Sequence, residues 1–519
     1  MNVVGLLNEQ AMQRGEEIAI YHGNEQVSFK QLKEESCRGS NYFRSLGLKT
    51  GDAVLIFVPM SIDLYIILMA LWRHGLTAMF LDPSSGRKNM EDCCLRIQPK
   101  AFIGVPKAQI IRIFTPILRR IPRAISTGPS LFCSRWSARK HFEVSAPLLQ
   151  CEADTPALIT FTSGSTGKPK STVRTHGFLI NQKKVLQQTL ALKAGNADLA
   201  TLPIFALVNL ALGVTTIIPA VDLTKPGKIF SRPVLDQIHK YQPHTAVASP
   251  AFFERLLADK ESDKLQCLHS LFTGGAPVFP RFLKKLADRL PNTRIIAVYG
   301  STEAEPICEL AFDRVAEHDV MRMADGCGLL AGTVVDQIDC RIIEDTWGTP
   351  LPPMSDEAFR TCRKPDFHPG EIVVHGEHVL KGYLGGEGDQ DNKFKVGEKI
   401  WHRTGDLGYF DDSGRLWLLG RCSAKIQDAN GTVFPFAVET AAMQFAEIER
   451  AALCALGESR VLVIQTSAQL QRIKEQLDKI IVRFHIDHIV KQKIPVDKRH
   501  NAKVDYPTLL KNIKKCNGI

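Results

Sequence analysis

Short apolar runs alternate with longer amphipathic segments through most of the chain. The runs at 53–58 and 294–298 are rich in Val and Ile, as buried strands are, whereas 63–74 and 280–290 place apolar residues at helical spacing. Strands that alternate with helices are typical of α/β proteins with largely parallel sheets. We therefore predict an α/β fold in which helices flank mixed or parallel sheets.

The pattern changes after Gly370. Short strand-like runs at 371–376 and 416–420 are separated by turns, which predicts a more antiparallel β subdomain. Just after Gly420 this pattern gives way to a polar segment and then to a tail of about 100 residues, which is long enough for a separate compact unit. We predict a large N-terminal domain, 1–420, and a small α+β C-terminal domain, 421–519.

Length and composition agree with that organisation. The chain has 519 residues, of which 44% are hydrophobic and 23% charged, as in globular proteins of more than one domain. Its 13 cysteines form no C-x-x-C pair, so we expect reduced thiols in a cytoplasmic setting rather than a disulfide framework. We expect no signal peptide, because the N-terminus has no basic segment followed by a long apolar run. We expect no transmembrane segment either, because the apolar stretch 54–72 contains Pro59 and Asp63.

The net charge of +10 is moderate for this length, and most Lys and Arg residues are dispersed. We interpret the two basic clusters as solvated surfaces first, and as sites of weak attraction to an anionic membrane second. No nucleic-acid partner is expected. The clusters consist of Arg112, Arg119, Arg120 and Arg123, and of Lys511, Lys514 and Lys515.

The segment 162–170, TSGSTGKPK, combines hydroxyls, glycines and two lysines directly after an apolar run. Glycines let the backbone approach an anion, hydroxyl and N–H groups donate hydrogen bonds, and lysine adds charge, which together predict a phosphate-binding loop. A P-loop is excluded, because that motif needs Gly at 162 and a hydroxyl at 169, where Thr162 and Pro169 stand. A solvated polar loop is the plainer alternative. The candidate phosphate ligands are Thr162, Ser163, Gly164, Ser165, Thr166, Gly167, Lys168 and Lys170.

Two further motifs follow predicted strands, YGSTE at 299–303 and TGGAP at 273–277. The exits of parallel strands are where α/β folds bind ligands. An ordinary turn explains the glycines of both motifs and is favoured for 273–277 taken alone, but it leaves Glu303 unexplained. The candidate ligand-binding residues here are Gly274, Gly275, Ala276, Tyr299, Gly300, Ser301, Thr302 and Glu303.

A fourth motif, RTGDLG, occupies 403–408, and Lys503 lies near the end of the chain. The carboxylate of Asp406 can accept two hydrogen bonds from a ribose diol, although an aspartate in such a turn is as often a turn former. A lone lysine such as Lys503 is usually solvated.

In this order, the motifs resemble those of the adenylate-forming superfamily of acyl- and aryl-CoA ligases, luciferases and non-ribosomal adenylation domains. The resemblance implies ATP and Mg²⁺ as cofactors. The loop at 162–170 would close over the β- and γ-phosphates, while Tyr299 and the segment 274–276 would lie on two sides of the adenine. Asp406 and Arg421 would bind near the ribose.

The resemblance also assigns catalytic roles. Thr302 would contact the α-phosphate, and Glu303 together with Thr166 would hold Mg²⁺. Lys503 would bridge the substrate carboxylate and the α-phosphate, carried there by a mobile small domain that rotates about a hinge near Ser423. A fixed cation where negative charge develops is typically worth about 3 kcal/mol, or roughly a hundredfold in rate.

Departures from the superfamily pattern indicate a branch. The segment 203–209, PIFALVN, lacks the histidine that CoA ligases commonly carry. The hinge segment at 421–425 reads RCSAK, with Ser423 where a lysine or an aspartate is usual. The runs at 203–213, 218–226 and 495–503 resemble the β-lactone synthetases of bacterial long-chain olefin biosynthesis. Phe205 and Asn209 are candidate substrate-binding residues, and the apolar runs at 205–212 and 250–253 fit an acyl tunnel and a plain core equally well.

The leading hypothesis is ATP-dependent activation of a fatty or β-hydroxy fatty acid as acyl-AMP, followed by closure of a β-lactone and release of AMP. An internal hydroxyl makes that second step unimolecular, so that a CoA site is unnecessary. The first rival is an acyl-CoA ligase, or a ligase that loads an acyl carrier. A rival of another class is a catalytically inactive nucleotide-binding interaction module. The oligomeric state is left open.

Overall fold

The computed structural model describes residues 1–82, 86–130, 133–163, 169–496 and 504–517. The chain divides into two compact units, the first made of 1–220, 240–247 and 377–389 and the second of 221–239, 248–376 and 390–519. Each unit combines sheets with helices, so the predicted α/β class is confirmed. The domain boundary after residue 420 stays a prediction.

The first unit contains eight helices and twelve strands among the residues described. Its helices are α1 Val4–Gln13, α2 Phe29–Ser45, α3 Ile62–Arg73, α4 Arg87–Ile97, α5 Pro106–Phe114, α6 Pro116–Arg119, α7 His176–Thr189 and α8 Pro203–Leu212. Its strands are β1 Ile18–His22, β2 Glu25–Ser28, β3 Ala53–Phe57, β4 Thr77–Phe80, β5 Ala101–Gly104, β6 Arg123–Ser126, β7 Ser134–Arg135, β8 Pro156–Ser163, β9 Pro169–Thr175, β10 Ala197–Ala200, β11 Thr215–Ile218 and β12 Thr245–Ala248, the last residue of which belongs to the second unit.

These strands form two sheets. One has the order β7-β6-β5-β3-β4-β8-β9 and is parallel except for β9. The other places β12, β10, β11 and β1 in parallel, with β2 antiparallel to β1 at the edge. Every residue of β3 is buried, as expected for a parallel strand that is covered on both faces.

The apolar stretch at 54–72 is divided between β3 and α3, as the sequence predicts. Ser61 accepts a hydrogen bond from the Leu64 N–H and so caps the N-terminus of α3 after the break at Pro59. Within the part of the chain that the structure describes, no helix is long and apolar enough to cross a membrane.

The second unit continues the chain with α9 to α18 and β13 to β26. Its helices are α9 Ser231–Tyr241, α10 Pro250–Leu257, α11 Pro280–Arg289, α12 Glu317–Ala324, α13 Asp356–Thr361, α14 Asp389–Asn392, α15 Pro435–Ala442, α16 Leu470–Gln476, α17 Asp478–Arg483 and α18 Tyr506–Asn517. Its strands are β13 Ser270–Gly274, β14 Arg294–Ser301, β15 Ala304–Ala311, β16 Leu329–Val334, β17 Asp339–Ile343, β18 Gly370–His375, β19 Lys393–Val396, β20 Lys399–Phe410, β21 Arg415–Arg421, β22 Ile426–Asp428, β23 Gly431–Val433, β24 Arg450–Leu456, β25 Ser459–Gln465 and β26 His488–Lys491.

The main sheet of this unit has the order β17-β18-β20-β21-β16-β15-β14-β13. Among the residues that the structure describes, β13 and β14 are the one parallel pair of this sheet, and its strands after Gly370, β18 to β21, pair antiparallel, as predicted. Beyond β21, two small sheets and α15 to α18 enclose their own apolar core. That core includes Val438, Ile448, Leu453, Leu462 and Ile473, each of which is fully buried.

Candidate active site

The YGSTE and TGGAP motifs lie side by side in the second unit. β13 and β14 pair in parallel with Gly274 opposite Val298, so both strands end at the same edge of the sheet. Their exits therefore bring the segment 274–276 next to Tyr299, as the interpretation of a ligand-binding edge requires.

Glycine is needed at this edge because the backbone segments approach closely. A Cβ at Gly274 would lie 2.5 Å from the carbonyl oxygen of Val298, and Gly275 has a φ of +76°. Gly275 is exposed and Ala276 is half-buried. The hydroxyl of the buried Thr273 has no hydrogen-bond partner among the residues described, which leaves a buried donor and acceptor at the exit of β13.

Tyr299 connects this edge to the RTGDLG motif. Its hydroxyl donates a hydrogen bond to Oδ2 of Asp406 at 2.8 Å. Burial, and then the adjacent carboxylate, hold the pKa of Tyr299 well above its ordinary value, so the phenol stays protonated as a donor. Asp406 follows Gly405, whose φ of +68° turns the strand at this point.

Arg421 contacts the other oxygen of the same carboxylate. Its Nε lies 3.2 Å from Oδ1 of Asp406, while its Nη1 donates to the Thr404 carbonyl at 3.0 Å. The Asp406 carboxylate raises the pKa of Arg421 and so keeps the guanidinium charged. Since each carboxylate oxygen can accept two hydrogen bonds, this pairing leaves one acceptor position on Oδ1 and one on Oδ2. Asp406 is therefore oriented from both sides and still able to accept a pair of hydroxyl groups.

Thr302 and Glu303 form the two-residue turn between β14 and β15, with Ser301 paired to Ala304. The Glu303 N–H donates to the hydroxyl of Ser301 at 3.3 Å. A Cβ at Gly300 would lie 2.9 Å from the Ala304 carbonyl oxygen, so the turn needs glycine there. Both turn side chains are half-buried and lie three and four residues after Tyr299, so a hydroxyl and an acid stand at the exit of β14.

A buried ion pair next to Asp406 was not predicted from the sequence. Arg403 and Glu371 are both fully buried, with Nη2 and Oε2 2.6 Å apart. The guanidinium lies 5.4 Å from the ring centre of Trp347, and a Cβ at Gly405 would lie 2.8 Å from that indole. Arg403 thus fixes the strand just before Asp406 without itself reaching the edge. Nothing near 347 or 371 in the sequence marks these positions as its partners.

Beyond Arg421, the predicted hinge segment is a short turn, Cys422–Ala424, followed by Lys425. The Lys425 ammonium lies 2.5 Å from Oδ2 of Asp345. Asp345, Glu371 and Cys422 are the one group of three potential metal ligands among the residues described. Since Arg403 and Lys425 already neutralise its two carboxylates, we interpret this group as a charge-balanced cluster rather than a metal centre.

The phosphate-loop motif lies in the first unit, and its central residues, Gly164, Ser165, Thr166, Gly167 and Lys168, lie outside the described residues. On either side of them β8 and β9 pair antiparallel, with Ser163 opposite Pro169 and Thr162 opposite Lys170. A P-loop would lead into a helix, whereas this segment leads into a strand. The exclusion of a P-loop is therefore confirmed, and the phosphate-binding role of the segment stays a prediction.

Lys170 is described and buried, with 9% of its surface exposed. Its ammonium lies 5.6 Å from the ring centre of Tyr383, and a Cβ at Gly388 would lie 2.9 Å from its Cε. The segment around 383–388 therefore covers this lysine. Its contact with a phosphate stays a prediction.

Lys503 lies outside the described residues, but the ends of its segment are anchored. Val496 and Val504 form an antiparallel bridge, and the Asp505 N–H donates to the Pro495 carbonyl at 2.9 Å. The hydroxyl of Tyr506 donates to Oε1 of Glu439 on α15. The two described ends of the segment, Val496 and Val504, are therefore held side by side.

The two predicted substrate-binding residues lie on α8 and are buried. Asn209 donates through Nδ2 to Oδ2 of Asp198 at 2.8 Å, and the Thr245 hydroxyl donates to the other carboxylate oxygen at 2.5 Å. Burial raises the pKa of Asp198 to about 6. The Asn209 amide is thus engaged in holding α8 to β10, and Phe205 is only 5% exposed. Their contact with a substrate stays a prediction.

A small apolar cavity lies along the neighbouring face of α8. The side chains around it come from α1, α3, α7 and α8 and include one cation, Lys183. Its lining includes Leu7, Trp72, Leu179, Ile204, Leu207 and Val208.

Comparison with curated proteins finds similar sequences over nearly the whole chain. An olefin beta-lactone synthetase of Stenotrophomonas maltophilia is 29% identical, with 97% of this chain and 96% of that protein covered. The mitochondrial medium-chain acyl-CoA ligase ACSF2 of Bos taurus is 23% identical, with 82% and 71% covered.

Among solved structures, ATP-bound MatB of Rhodopseudomonas palustris matches with a TM-score of 0.81 at 18% identity, covering 99% of each chain. This likeness confirms the fold. The sequence profile of the family described as AMP-binding enzyme matches residues 7–384, which is well over half of the chain and includes the first three of the four predicted segments up to YGSTE. The chain therefore belongs to the AMP-binding enzyme family.

Proposed function

We propose that this enzyme activates a β-hydroxy fatty acid as acyl-AMP and then closes it to a β-lactone. The observation that carries the adenylation step is the Asp406 carboxylate, oriented by Tyr299 and Arg421 beside the glycine-lined exits of β13 and β14. Family membership gives the nucleotide chemistry. The named β-lactone synthetase, at 29% identity over nearly the full chain, supports the second step.

The residues at this edge fit an adenosine group. The exposed backbone at Gly275 and the ring of Tyr299 provide flat surfaces for the base, and the partnerless Thr273 hydroxyl offers a polar contact. Asp406 has one acceptor position left on each oxygen, which suits the two hydroxyls of a ribose. We propose the loop at 162–170 as the part of the chain that binds the triphosphate.

Glu303 and Thr166 are the residues we propose as Mg²⁺ ligands, since carboxylate and hydroxyl oxygens are the donors this ion prefers. When bound, Mg²⁺ supplies positive charge that offsets the charge of the phosphates. Glu303 lies in the turn between β14 and β15, four residues after Tyr299.

The chemistry takes two displacements. A carboxylate oxygen of the acid attacks the α-phosphorus of ATP, and pyrophosphate leaves. The β-hydroxyl oxygen then attacks the acyl carbon, AMP leaves with the original carboxylate oxygen, and the hydroxyl proton is released to solvent. We propose that Lys503 stabilises the negative charge that develops in the first displacement, which is typically worth about 3 kcal/mol.

An internal nucleophile distinguishes this proposal from CoA ligation. A hydroxyl held two carbons from the acyl carbon reacts without binding a second substrate, so no CoA site is needed. The absence of a histidine in PIFALVN and the short RCSAK hinge support that choice. The second candidate is acyl-CoA or acyl-carrier ligation, which is favoured by the similarity to a named medium-chain acyl-CoA ligase.

We also propose a cytoplasmic location. The twelve cysteines whose side chains the structure describes are free thiols, as expected for a reducing compartment. The proposed partners are small molecules, a β-hydroxy fatty acid in the first candidate and CoA or a carrier in the second.

The test uses two acids of equal chain length, one with and one without the β-hydroxyl, each with and without CoA. Pyrophosphate release reports adenylation, and mass spectrometry identifies the product. We expect pyrophosphate from both acids without CoA, and a product that has lost one water only from the hydroxy acid. A product that forms only with CoA overturns lactone closure, and no pyrophosphate from any acid across the chain-length range supports the inactive interaction module instead.

A further inference from the structure

One stretch of the first unit carries an unusual concentration of positive charge. Residues 93–142 include ten Lys and Arg but no Asp or Glu, so this stretch alone holds as much net charge as the whole chain, +10. It contains α5 and α6, which follow one another with only Thr115 between them. A segment of this kind has an electrostatic preference for anionic surfaces.

The helix α5 is amphipathic, but the face that carries its large apolar side chains points to solvent instead of to the core. Its core-facing side is made of Ala108 and Gln109, which are 4% exposed, and Gln109 donates to the Ile125 carbonyl at 2.7 Å. Its large apolar side chains face solvent instead. Phe114 is 78% exposed, Ile110 56%, and Ile111 and Ile113 40% each. An apolar face that a helix exposes to solvent in this way marks a site of contact with a membrane or with another protein.

Cations surround this apolar face. Lys107 lies on α5, and Arg119 and Arg120 are at the end of α6; all three are exposed. Arg112 uses its Nε to donate to Gln109 at 3.1 Å. Lys107, Arg112, Arg119 and Arg120 form no ion pair with the acidic residues that the structure describes. By contrast, Arg139 in the same stretch is paired with Glu35.

We propose that the face formed by Lys107, Ile110, Ile111, Ile113 and Phe114, with Arg119 and Arg120, docks on an anionic lipid surface. Exposed Ile and Phe side chains rimmed by Lys and Arg are the combination that inserts into the headgroup region of such a membrane. A protein partner with this charge complement would need acidic side chains. The apolar centre favours lipid, whose surface offers both acyl chains and anionic headgroups. This surface shares no residue with the adenylation motifs.

The test is co-sedimentation of the full chain with vesicles of phosphatidylcholine, with and without phosphatidylglycerol. We expect binding to the anionic vesicles that weakens as salt is added, since exposed charges are screened. Phe114→Glu should weaken binding by about tenfold or more, because it removes the apolar side chain with the largest exposed fraction on this face. Arg119→Glu with Arg120→Glu should weaken it by roughly 30-fold or more, because about 1 kcal/mol is lost with each cation and the new carboxylates are repelled by the anionic surface.

Matched variants separate this face from general effects. Phe230→Glu is the control for Phe114→Glu, because Phe230 is 79% exposed and lies elsewhere. Lys474→Glu with Lys479→Glu is the control for the double arginine variant, because it changes the net charge by the same amount at two exposed lysines. Both controls should bind vesicles like the original chain, and all variants should retain the same thermal midpoint and vesicle-free pyrophosphate release. If a control variant loses as much vesicle binding as the variant it matches, the proposal is overturned. It is also overturned if the original chain binds neither kind of vesicle, or if Phe114→Glu instead abolishes a dimer seen by sedimentation.

Discussion

Replacing Glu439 by Gln should change how the stability of the C-terminal core depends on pH. Glu439 lies on α15 with 5% of its surface exposed, and its Oε1 accepts from the Leu453 N–H at 2.9 Å and from the Tyr506 hydroxyl. Burial raises its pKa from 4.5 to about 7. A Gln side chain keeps an oxygen for both donors but cannot ionise.

The expected magnitude follows from the pKa difference. Below pH 4.5 the carboxyl is protonated in both the folded and the unfolded chain, so it contributes its full stability there. As pH rises toward 7 the unfolded chain loses this proton first, and folding is progressively disfavoured, by about 3 kcal/mol once pH exceeds 7. Glu439→Gln should remove that slope, so that the variant gains stability relative to the original chain between pH 5 and about 8.

Two readouts test this. Denaturant unfolding from pH 5 to about 8.5 gives the stability difference, and hydrogen exchange at β24 reports the Leu453 amide locally. Glu458→Gln changes an exposed carboxylate in the same region and should give curves parallel to those of the original chain. If the Glu439→Gln curve is also parallel, the buried carboxyl does not retain its proton and the reasoning is refuted.

Three further outcomes are expected. Lys503→Ala should lower adenylation about a hundredfold while ATP binding, measured by calorimetry, is unchanged; unaltered turnover would contradict its role. Asp406→Ala should weaken ATP binding by roughly tenfold to a hundredfold, since hydrogen bonds to a charged group are worth about 1.5–3 kcal/mol. The control Asp412→Ala, on the exposed turn after β20, should bind ATP like the original chain, and equal affinities of the two variants would exclude Asp406 from the site. Arg403→Leu should destabilise the second unit by about 3–5 kcal/mol, because it leaves the Glu371 carboxylate buried and unpaired. Adding Glu371→Leu should restore much of that stability. A double variant no more stable than the single one would show that the unpaired carboxylate does not cause the loss.

The elements of the fold could be predicted because their signals are local. The all-buried strand β3 and the amphipathic helix α11 carry their periodicity in the sequence itself. The exits of β13 and β14 were located for the same reason, since each motif directly follows its strand. That the two exits are neighbours depends on parallel pairing, which the α/β alternation already implied.

The supporting contacts could not be predicted, because they depend on pairing across long separations in sequence. Arg403 pairs with Glu371 on the adjacent strand, and Asn209 donates a hydrogen bond to Asp198 on β10. A polar residue on an apolar helix signals either a core hydrogen bond or a substrate contact, and the sequence pattern is the same for both. The exposure of the apolar face of α5 could not be predicted either. Periodicity shows that a helix has an apolar face, but not whether that face points to the core or to solvent.

In the proposed reaction, a carboxylate oxygen of the acid passes to AMP and the β-hydroxyl oxygen then takes its place on the acyl carbon. Oxygen-18 follows this exchange: a β-hydroxy fatty acid labelled in its carboxylate is incubated with ATP and without CoA, and AMP and the organic product are analysed by mass spectrometry. We expect one labelled oxygen in AMP and a lactone that retains one labelled oxygen in its carbonyl. Unlabelled AMP, or an organic product that keeps both labelled oxygens, would show that the β-hydroxyl does not displace AMP in this way.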